Sequence, residues 1–314
     1  SSSSKNSSRF RSGRHVYYMG TGDFSFTRDD CRRYFSEAGI ILTNDEVSEL
    51  MKITDGWIFA MYLQLLFYAK NKRYEKGILS TLIEKAFFER LSDSECRFFE
   101  SLSPFKSFTK HAASFVSGRS PEFVGEYLSE GGFIHYDDKR REYYFHNLLY
   151  EYLNENLNRL SDSERNRIYE KAAEWEEKNG KKTNAIRLYY KAEAYEKIFE
   201  MPHTSYDLSD IEDKNTRKMI FDILDKTSHE VKLRHPKSMV PLAFILFFVG
   251  ENEKLADVIG EIFSLIEECD LSENEKNIIL GETELLISFT KYNNIAEMSR
   301  HHRCAFELLG KRAS

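Results

Sequence analysis

The sequence predicts a mainly α-helical protein that contains a small winged-helix domain with a β-hairpin, followed by a tetratricopeptide-like (TPR-like) α-solenoid of helical hairpins. Only five prolines interrupt the 314 residues, and apolar residues recur at three- and four-residue spacing through most of the chain. Strand-like runs are confined to HVYYMGTGDFSFT at residues 15–27 and FIHYDDKRREYYFH at residues 133–146. Helix therefore dominates, and sheet is scarce.

The N-terminal part divides into a polar lead-in and a helical segment. Residues 1–14, SSSSKNSSRFRSGR, are polar and basic without an apolar run, which is typical of a flexible lead-in. Further on, Thr27 is placed to cap one helix. Thr43 and Glu46 have the capping-box pattern of a second helix, which stops at Gly56. A third helix follows directly and continues to about residue 70.

Residues 80–160 combine short helices with the second strand-like run. Several short helical patterns, the last of them PEFVGEYLSEGG, precede this run. Within it, FIHY and EYYFH flank the polar turn DDKRR, which is the pattern of a β-hairpin. Short helices, a hairpin and a following helix predict a winged-helix domain whose wing is residues 133–146.

Residues 161–314 have the pattern of paired helices. Gly180, GENE at residues 250–253 and KYNN at residues 291–294 supply turns between helical runs. Small residues stand where two helices would approach closely: Ala172, Ala173, Ala185, Ala192 and Ala194. Because each hairpin must bury its apolar face on the next one, this segment is predicted to be a TPR-like α-solenoid.

Composition excludes several classes of protein. The formal charge of -6 and a pI near 5.9 give no global attraction to nucleic acid or acidic lipid. Four scattered cysteines without a CxxC pair suggest neither a disulfide framework nor a zinc ribbon. The longest apolar runs are shorter than the roughly 20 residues of a spanning helix, and no signal peptide opens the chain. A cytoplasmic protein without a membrane partner is predicted.

The sequence offers little for catalysis. No GxxxxGK[ST] motif occurs, and GTGD at residues 20–23 lacks the lysine and the helix start of a phosphate-binding loop. HHRC at residues 301–304 contains metal-ligand types, but the local sequence supplies no further ligand, and a partly exposed helix end is the simpler interpretation. No histidine has a recognisable nucleophile nearby. The chain is predicted to be neither an enzyme nor a metal-binding protein.

The predicted winged helix also lacks the features of a DNA reader. Its third helix carries Glu122, Glu126 and Glu130 and no basic residue, so DNA phosphates would repel it. The wing turn contains Lys139, Arg140 and Arg141, for which a solvated turn is the simpler interpretation. The winged helix is therefore predicted to contact protein.

With these elements in order, the chain resembles the middle of the large ATP-dependent LuxR-type regulators around the maltose-regulon activator, which belong to the STAND class of signal-transduction ATPases. The resemblance covers nearly the whole chain after about residue 15. The most specific landmarks are TDGW, residues 54–57, and YYFH, residues 143–146, in the expected order and separation. Further stretches carry it: GTGDFSFTRDDCRRYF, FFESLSPFKSFTKHAASFVSG, KAAEWEEKNGKKTNAIRLYYKAEAYEKI, HPKSMVPLAFILFFVGENEKL and GETELLISFTKYNNIAEMSRHHRCAFELL.

The resemblance implies a division into functional parts. Residues 15–79 would be the tail and helical lid of an upstream nucleotide-binding domain, residues 80–160 the winged helix, and residues 161–314 the helical sensor segment. A helix-turn-helix beyond residue 314 would contact DNA. The Walker motifs and this DNA-binding helix are both missing, so the chain is expected to be a piece of a longer protein. That complete protein would bind ATP or ADP and be a slow switch ATPase, whereas this chain holds no cofactor.

The resemblance also assigns a role to His146. In related STAND proteins the histidine at this strand-to-helix junction approaches the β-phosphate of ADP and holds the resting state closed. The residues themselves leave a capping or packing histidine between Phe145 and Leu148 as an equal alternative. A small-molecule or protein inducer on the repeats would loosen this contact, ADP would exchange for ATP, and the protein would homo-oligomerise on DNA.

The inducer site is predicted on the concave face of the repeats. Aromatic side chains are its candidates: Tyr189, Tyr190, Phe247, Phe248 and Tyr292. The alternative function is a non-enzymatic scaffold whose solenoid binds a peptide or partner protein and never belonged to a nucleotide domain.

Overall fold

The structure is a computed structural model that describes residues 25–71, 73–74, 77–129, 133–204, 207 and 216–310. The described residues are 74% helical, which confirms the predicted fold class. Residues 1–24, including the GTGD turn and most of the first strand-like run, lie outside the described part.

Seventeen α-helices and three strands are present among the described residues. The helices of the first half are α1 Arg28–Glu37, α2 Asn44–Thr54, α3 Ile58–Asn71, α4 Gly77–Ala86, α5 Asp93–Leu102, α6 Lys110–Ser117, α7 Pro121–Ser129 and α8 Asn147–Leu157. Those of the second half are α9 Asp162–Lys178, α10 Lys182–Lys191, α11 Tyr195–Glu200, α12 Thr216–Lys226, α13 His229–Arg234, α14 Met239–Phe248, α15 Asn252–Glu268, α16 Glu273–Thr290 and α17 Ile295–Leu309. The strands are β1 Ser107–Phe108, β2 Ile134–Asp137 and β3 Glu142–Phe145.

The chain forms two compact units. The N-terminal unit consists of the described residues up to Cys96 together with Leu128–Leu153, and the C-terminal unit consists of Arg97–Tyr127 together with the chain from Asn154 onward. Each unit has its own buried side chains.

Helices α1–α3, called the lid helices below, enclose one core of the N-terminal unit. Its fully buried members are Cys31, Phe35, Val47, Leu50 and Met61. The predicted caps are confirmed, because the side chains of Thr27 and Thr43 both accept backbone N–H groups and both complete a capping box. Local polar sequence therefore determines where these two helices begin.

The predicted wing is confirmed as an antiparallel hairpin in the same unit. Strands β2 and β3 pair in the register Ile134 with Phe145 and His135 with Tyr144. Side chains alternate between the two faces of a strand, so Ile134 and Phe145 enter the core while His135 and Tyr144 share the other face. The turn is held by Asp137, whose carboxylate accepts the N–H groups of residues 139 and 140.

The C-terminal unit contains the predicted helical hairpins. Helices α9 and α10 pack together, as do α14 with α15 and α16 with α17. Ala172, Ala173 and Ala185 are fully buried. Gly180 adopts a φ of 73° after α9, the GENE turn connects α14 to α15, and the KYNN turn connects α16 to α17. Helix α14 also contacts α16, so one hairpin buries part of its surface on the next.

Helices α11–α13 lie between the first helical hairpin and the later ones in the chain. Two of them are only six residues long, and Glu193 enters α11 with a φ of 55°, a left-handed conformation that is uncommon outside glycine. Within the described ranges, none of the helices combines the length and the hydropathy of a membrane-spanning segment.

Candidate functional site

His146 lies at the junction of β3 and α8, where its backbone and its ring have separate partners. The backbone N–H donates to the carbonyl oxygen of Phe133 at 2.7 Å, which closes the base of the wing. The ring Nδ1 accepts the backbone N–H of Leu148 at 3.3 Å, so the imidazole caps the first turn of α8. A neutral imidazole that accepts through Nδ1 carries its proton on Nε2. The second nitrogen is therefore a donor.

Trp57 of the lid brings an indole against this imidazole. The ring centroids of Trp57 and His146 are 5.7 Å apart, and those of Trp57 and Phe133 are 5.4 Å apart, both in edge-to-face arrangements. The two sequence landmarks, TDGW and YYFH, therefore meet in space. Contacts of this kind are individually weak, but together they join the wing to the start of α3.

The turn before Trp57 has little steric freedom. Gly56 has a φ of 73°, and a Cβ at this position would lie 2.6 Å from the backbone oxygen of Phe26. The backbone N–H of Phe26 donates to the Gly56 carbonyl oxygen at 2.8 Å. Ser25 forms an antiparallel bridge with Trp57. Only glycine satisfies both the left-handed backbone and this close approach.

A second imidazole, that of His135, belongs to the same site and was not predicted from the sequence. Its ring lies 5.2 Å from the ring of Tyr144 and 6.2 Å from that of His146. The hairpin register places His135 and Tyr144 on one face, and His146 follows directly after β3. The alternation in FIHY and EYYF shows which residues of each strand share a face. It does not show which residues of the two strands lie opposite each other, because that depends on the register.

Burial sets the charge of both imidazoles. It lowers the pKa of His146 and of His135 below the usual value near 6.5, because a buried imidazolium loses its hydration. The Asp55 carboxylate, at the end of α2, acts in the opposite direction on both rings, and its effect is smaller. At neutral pH both rings are therefore neutral, and His146 offers an N–H donor without a positive charge.

An open apolar cleft of about 560 Å³ lies at the start of α3. It is lined by Tyr34, Trp57, Ile58, Phe59 and Tyr62. Phe59 and Tyr62 are 44% and 43% exposed. Trp57 thus lines an aromatic cleft and also contacts the half-buried His146.

Two of the predicted inducer residues, Tyr189 and Tyr190, are held by carboxylates inside the C-terminal unit. Tyr189 is 1% exposed, and its hydroxyl donates to Glu177 at 2.7 Å. Tyr190 donates to Asp222 at 2.7 Å. Burial, with a smaller contribution from this hydrogen bond, raises the pKa of Tyr190 to about 12. Both tyrosines stabilise helix packing, and Tyr189 presents almost no surface to a ligand.

The other three predicted inducer residues lie at the end of α14 and in the turn after α16. Phe247 contacts Phe248 and Phe289 with ring distances of 5.6 Å and 6.2 Å. Phe248 is 65% exposed and Tyr292, in the turn after α16, is 70% exposed. Phe248 and Tyr292 are therefore accessible to a ligand or a partner.

The remaining sequence candidates have structural partners. His301 contacts Glu284 at 2.6 Å, and His302 contacts the hydroxyl of Ser288 at 3.0 Å. Within the described part of the chain, no group of three or more histidine, cysteine, aspartate or glutamate side chains could hold a metal ion.

Comparison with known proteins identifies one segment by sequence. Residues 84–165 match the family model of the MalT winged helix domain, so this part of the chain is a winged helix domain of the MalT type. No curated protein sequence matches the chain.

Comparison of structures gives a Signal Transduction ATPase with Numerous Domains (STAND) protein with a tetratricopeptide repeat sensor from Pyrococcus horikoshii. Identity is 18% and the TM-score is 0.46, over 93% of this chain and 42% of that protein. The chain therefore spans less than half the length of this relative.

Proposed function

We propose that this chain, which contains a MalT-type winged helix, is the signal-sensing and autoregulatory segment of an ATP-dependent transcriptional regulator of the LuxR type. The observation that carries the proposal is His146, a neutral imidazole that uses Nδ1 to cap α8 and keeps Nε2–H as a donor. An uncharged donor beside a helix N-terminus suits an anionic phosphate oxygen.

In this proposal the chain is not itself an enzyme. A nucleotide-binding domain upstream of the lid helices binds ATP or ADP, and His146 donates to a phosphate of bound ADP in the resting state. The contact between Trp57 and His146 then couples the lid to the wing. Loss of the phosphate contact alters the contacts of the wing and of α8. Helix α8 precedes the helical hairpins in the chain, so the change reaches them.

The helical hairpins bind the inducer, a small molecule or a protein, in the same proposal. The inducer must bind the open state more tightly than the closed state, because only differential affinity shifts an equilibrium. Opening permits nucleotide exchange, homo-oligomerisation and DNA binding through a separate C-terminal helix-turn-helix. The exposed Phe248 and Tyr292 are better placed than the buried Tyr189 to contact an inducer.

The test is His146→Ala in the complete regulator. Removal of the imidazole is expected to raise transcription without inducer and to weaken retention of ADP, since a phosphate partner is lost. His229→Ala, at an exposed histidine paired with Glu268 in the C-terminal unit, is the control and is expected to leave both unchanged. Unchanged basal transcription and ADP occupancy in the His146 variant, with the protein folded, would contradict the sensing role.

A second candidate function is a scaffold that binds a partner protein. It is favoured by the exposure of large apolar side chains in the last helical hairpins, where Phe248, Tyr292 and Phe306 are 65%, 70% and 60% exposed. Surfaces of this kind commonly serve association. In a scaffold, substitution of His146 would change only the stability of the protein. Transcription would then not depend on whether a nucleotide is bound.

A further inference from the structure

The wing and the lid meet through groups whose charge depends on pH. The rings of His146 and His135 are 6.2 Å apart, and the Trp57 indole lies edge-to-face against His146 with 5.7 Å between the ring centroids. The charged group that faces them from the lid is Asp55, and Tyr144 contacts His135 from β3. The remaining ring contact of His146 is with Phe133, which is apolar.

We propose that this cluster is an acid-sensitive latch, in which protonation of His146 and His135 releases Trp57 from the wing. The inference concerns the regulation of the site proposed above, and it requires no nucleotide. Acid would thus open the same contact that loss of the phosphate is proposed to weaken.

The hydrogen bond of His146 explains why protonation would act on structure. Nδ1 accepts the Leu148 N–H only while its lone pair is free. A proton on Nδ1 would place two N–H groups against each other and would remove the cap of α8. The imidazolium would also lie at a helix N-terminus, where the macrodipole disfavours positive charge.

The second imidazole adds to this effect. Once both rings are charged they repel each other across 6.2 Å, and each loses hydration through burial. Asp55 opposes the release, because its carboxylate attracts both imidazolium rings, but its effect on each pKa is smaller than that of burial. The loss of hydration, the repulsion between the two rings and the loss of the α8 cap all destabilise the closed state. Together they exceed the stabilisation that the exposed Asp55 carboxylate provides.

The direction of the pH dependence follows from the lowered pKa values. Above the usual histidine pKa near 6.5 the rings are neutral in both the closed and the released state, and the latch is fully stable. As pH falls below this value the released state takes up protons first, so the closed state is progressively lost. Each linked proton changes the ratio of released to closed molecules by up to about ten-fold per pH unit.

Trp57 itself reports the release. The chain has two tryptophans, so Trp175→Phe leaves Trp57 as the single fluorophore. In this variant, acrylamide quenching of Trp57 is expected to increase between about pH 8 and pH 5, because the indole becomes accessible. Quenching by acrylamide separates true release from contact quenching by a nearby imidazolium.

Two further substitutions identify the responsible groups. His146→Asn keeps a side-chain acceptor for the N-cap but cannot titrate, so the increase in acrylamide accessibility should be lost. His135→Gln should make the titration shallower, since fewer protons are taken up. His229→Gln, in the C-terminal unit, is the control and should leave the titration of Trp57 unchanged.

The proposal would be overturned by constant acrylamide accessibility over this range, or by the same titration in the His146→Asn variant. Far-UV circular dichroism is recorded at each pH, and a global loss of helix that coincides with the Trp57 transition would also overturn it. All of these measurements use the chain without nucleotide. Failure of the latch is therefore distinguishable from failure of the nucleotide-sensing function, which is tested by ADP retention.

Discussion

The two ring nitrogens of His146 have different tasks. Nδ1 accepts the Leu148 N–H and caps α8, whereas Nε2 carries the proton. From the sequence, capping and phosphate sensing are alternatives for this residue. The structure establishes the capping contact, and it leaves the sensing role as a proposal that uses the other nitrogen. The two roles are therefore compatible within one neutral side chain.

Gly56 gives a sharp prediction at the same scale. Gly56→Ala places a Cβ 2.6 Å from the Phe26 oxygen, on a backbone with positive φ. The left-handed conformation alone costs about 1–2 kcal/mol for a residue with a Cβ, and overpacking against backbone adds about 1–3 kcal/mol. The free energy of unfolding, measured by denaturant titration, is expected to fall by the sum of these two costs.

Gly39→Ala is the matched control for this substitution. Gly39 also has a positive φ, 78°, but a Cβ there would meet nothing within 4 Å. Its loss of stability should therefore reflect the backbone conformation alone. Equal losses for the two variants would show that the approach of Phe26 to Gly56 imposes no constraint.

Some residues of the site were beyond sequence reasoning for a physical reason. His135 belongs to it because the hairpin register sets it opposite Tyr144, and Trp57 belongs to it because its indole contacts His146. The first contact depends on the register between two strands, and the second joins residues that are far apart in sequence. Periodicity within one element contains no information about such pairs.

At the scale of elements, local sequence was a good guide to where helices begin. Thr27, Thr43, Ser161 and Ser272 each cap a helix and are each followed three residues later by a carboxylate that completes a capping box. The signal is local because the cap and its acceptor lie within one turn. Aromatic residues carry a weaker signal, because spacing alone does not separate a buried residue such as Tyr189 from an exposed one such as Tyr292.

The cap of α16 provides a prediction at this scale. Ser272 accepts the N–H of Glu275, and the Glu275 side chain accepts the N–H of Ser272 in return. Ser272→Ala removes one half of this exchange and is expected to lower the free energy of unfolding by about 1 kcal/mol. Thermal and denaturant unfolding of the chain measure this loss.

Ser299→Ala serves as the control for the cap. Ser299 is an exposed residue inside α17, where alanine has the better helix propensity. This variant should be neutral or slightly stabilised. A Ser272 variant as stable as the Ser299 variant would mean that the first turn of α16 does not depend on its cap.

At the scale of the whole molecule, net charge and its distribution determine whether the chain attracts nucleic acid. The formal charge is -6. Lys139, Arg140 and Arg141 in the wing turn are balanced by Asp138 in the turn and by Asp137 and Glu142 at the adjoining strand ends. The wing is therefore not a basic patch, although it contains three consecutive cations.

The chain is accordingly expected not to bind double-stranded DNA through its winged helix. Glu122 and Glu126 lie on α7, the third helix of the winged-helix pattern, and the pKa of Glu122 is lowered by hydrogen bonds from its own backbone and from Ser120, so its carboxylate is ionised at neutral pH. DNA phosphates would be repelled, and no counterions would be released. Electrophoretic mobility of a DNA duplex, measured over a series of salt concentrations, should be unaffected by the chain.

Charge reversal tests whether these carboxylates are the cause. Glu122→Lys combined with Glu126→Lys changes the formal charge by +4, from -6 to -2, and places two cations on α7. Retention of DNA should then appear at low salt and should weaken as salt rises, because it would arise from phosphate contacts. Salt-sensitive retention by the unmodified chain would instead assign DNA contact to this winged helix, and would contradict a purely protein-contacting role.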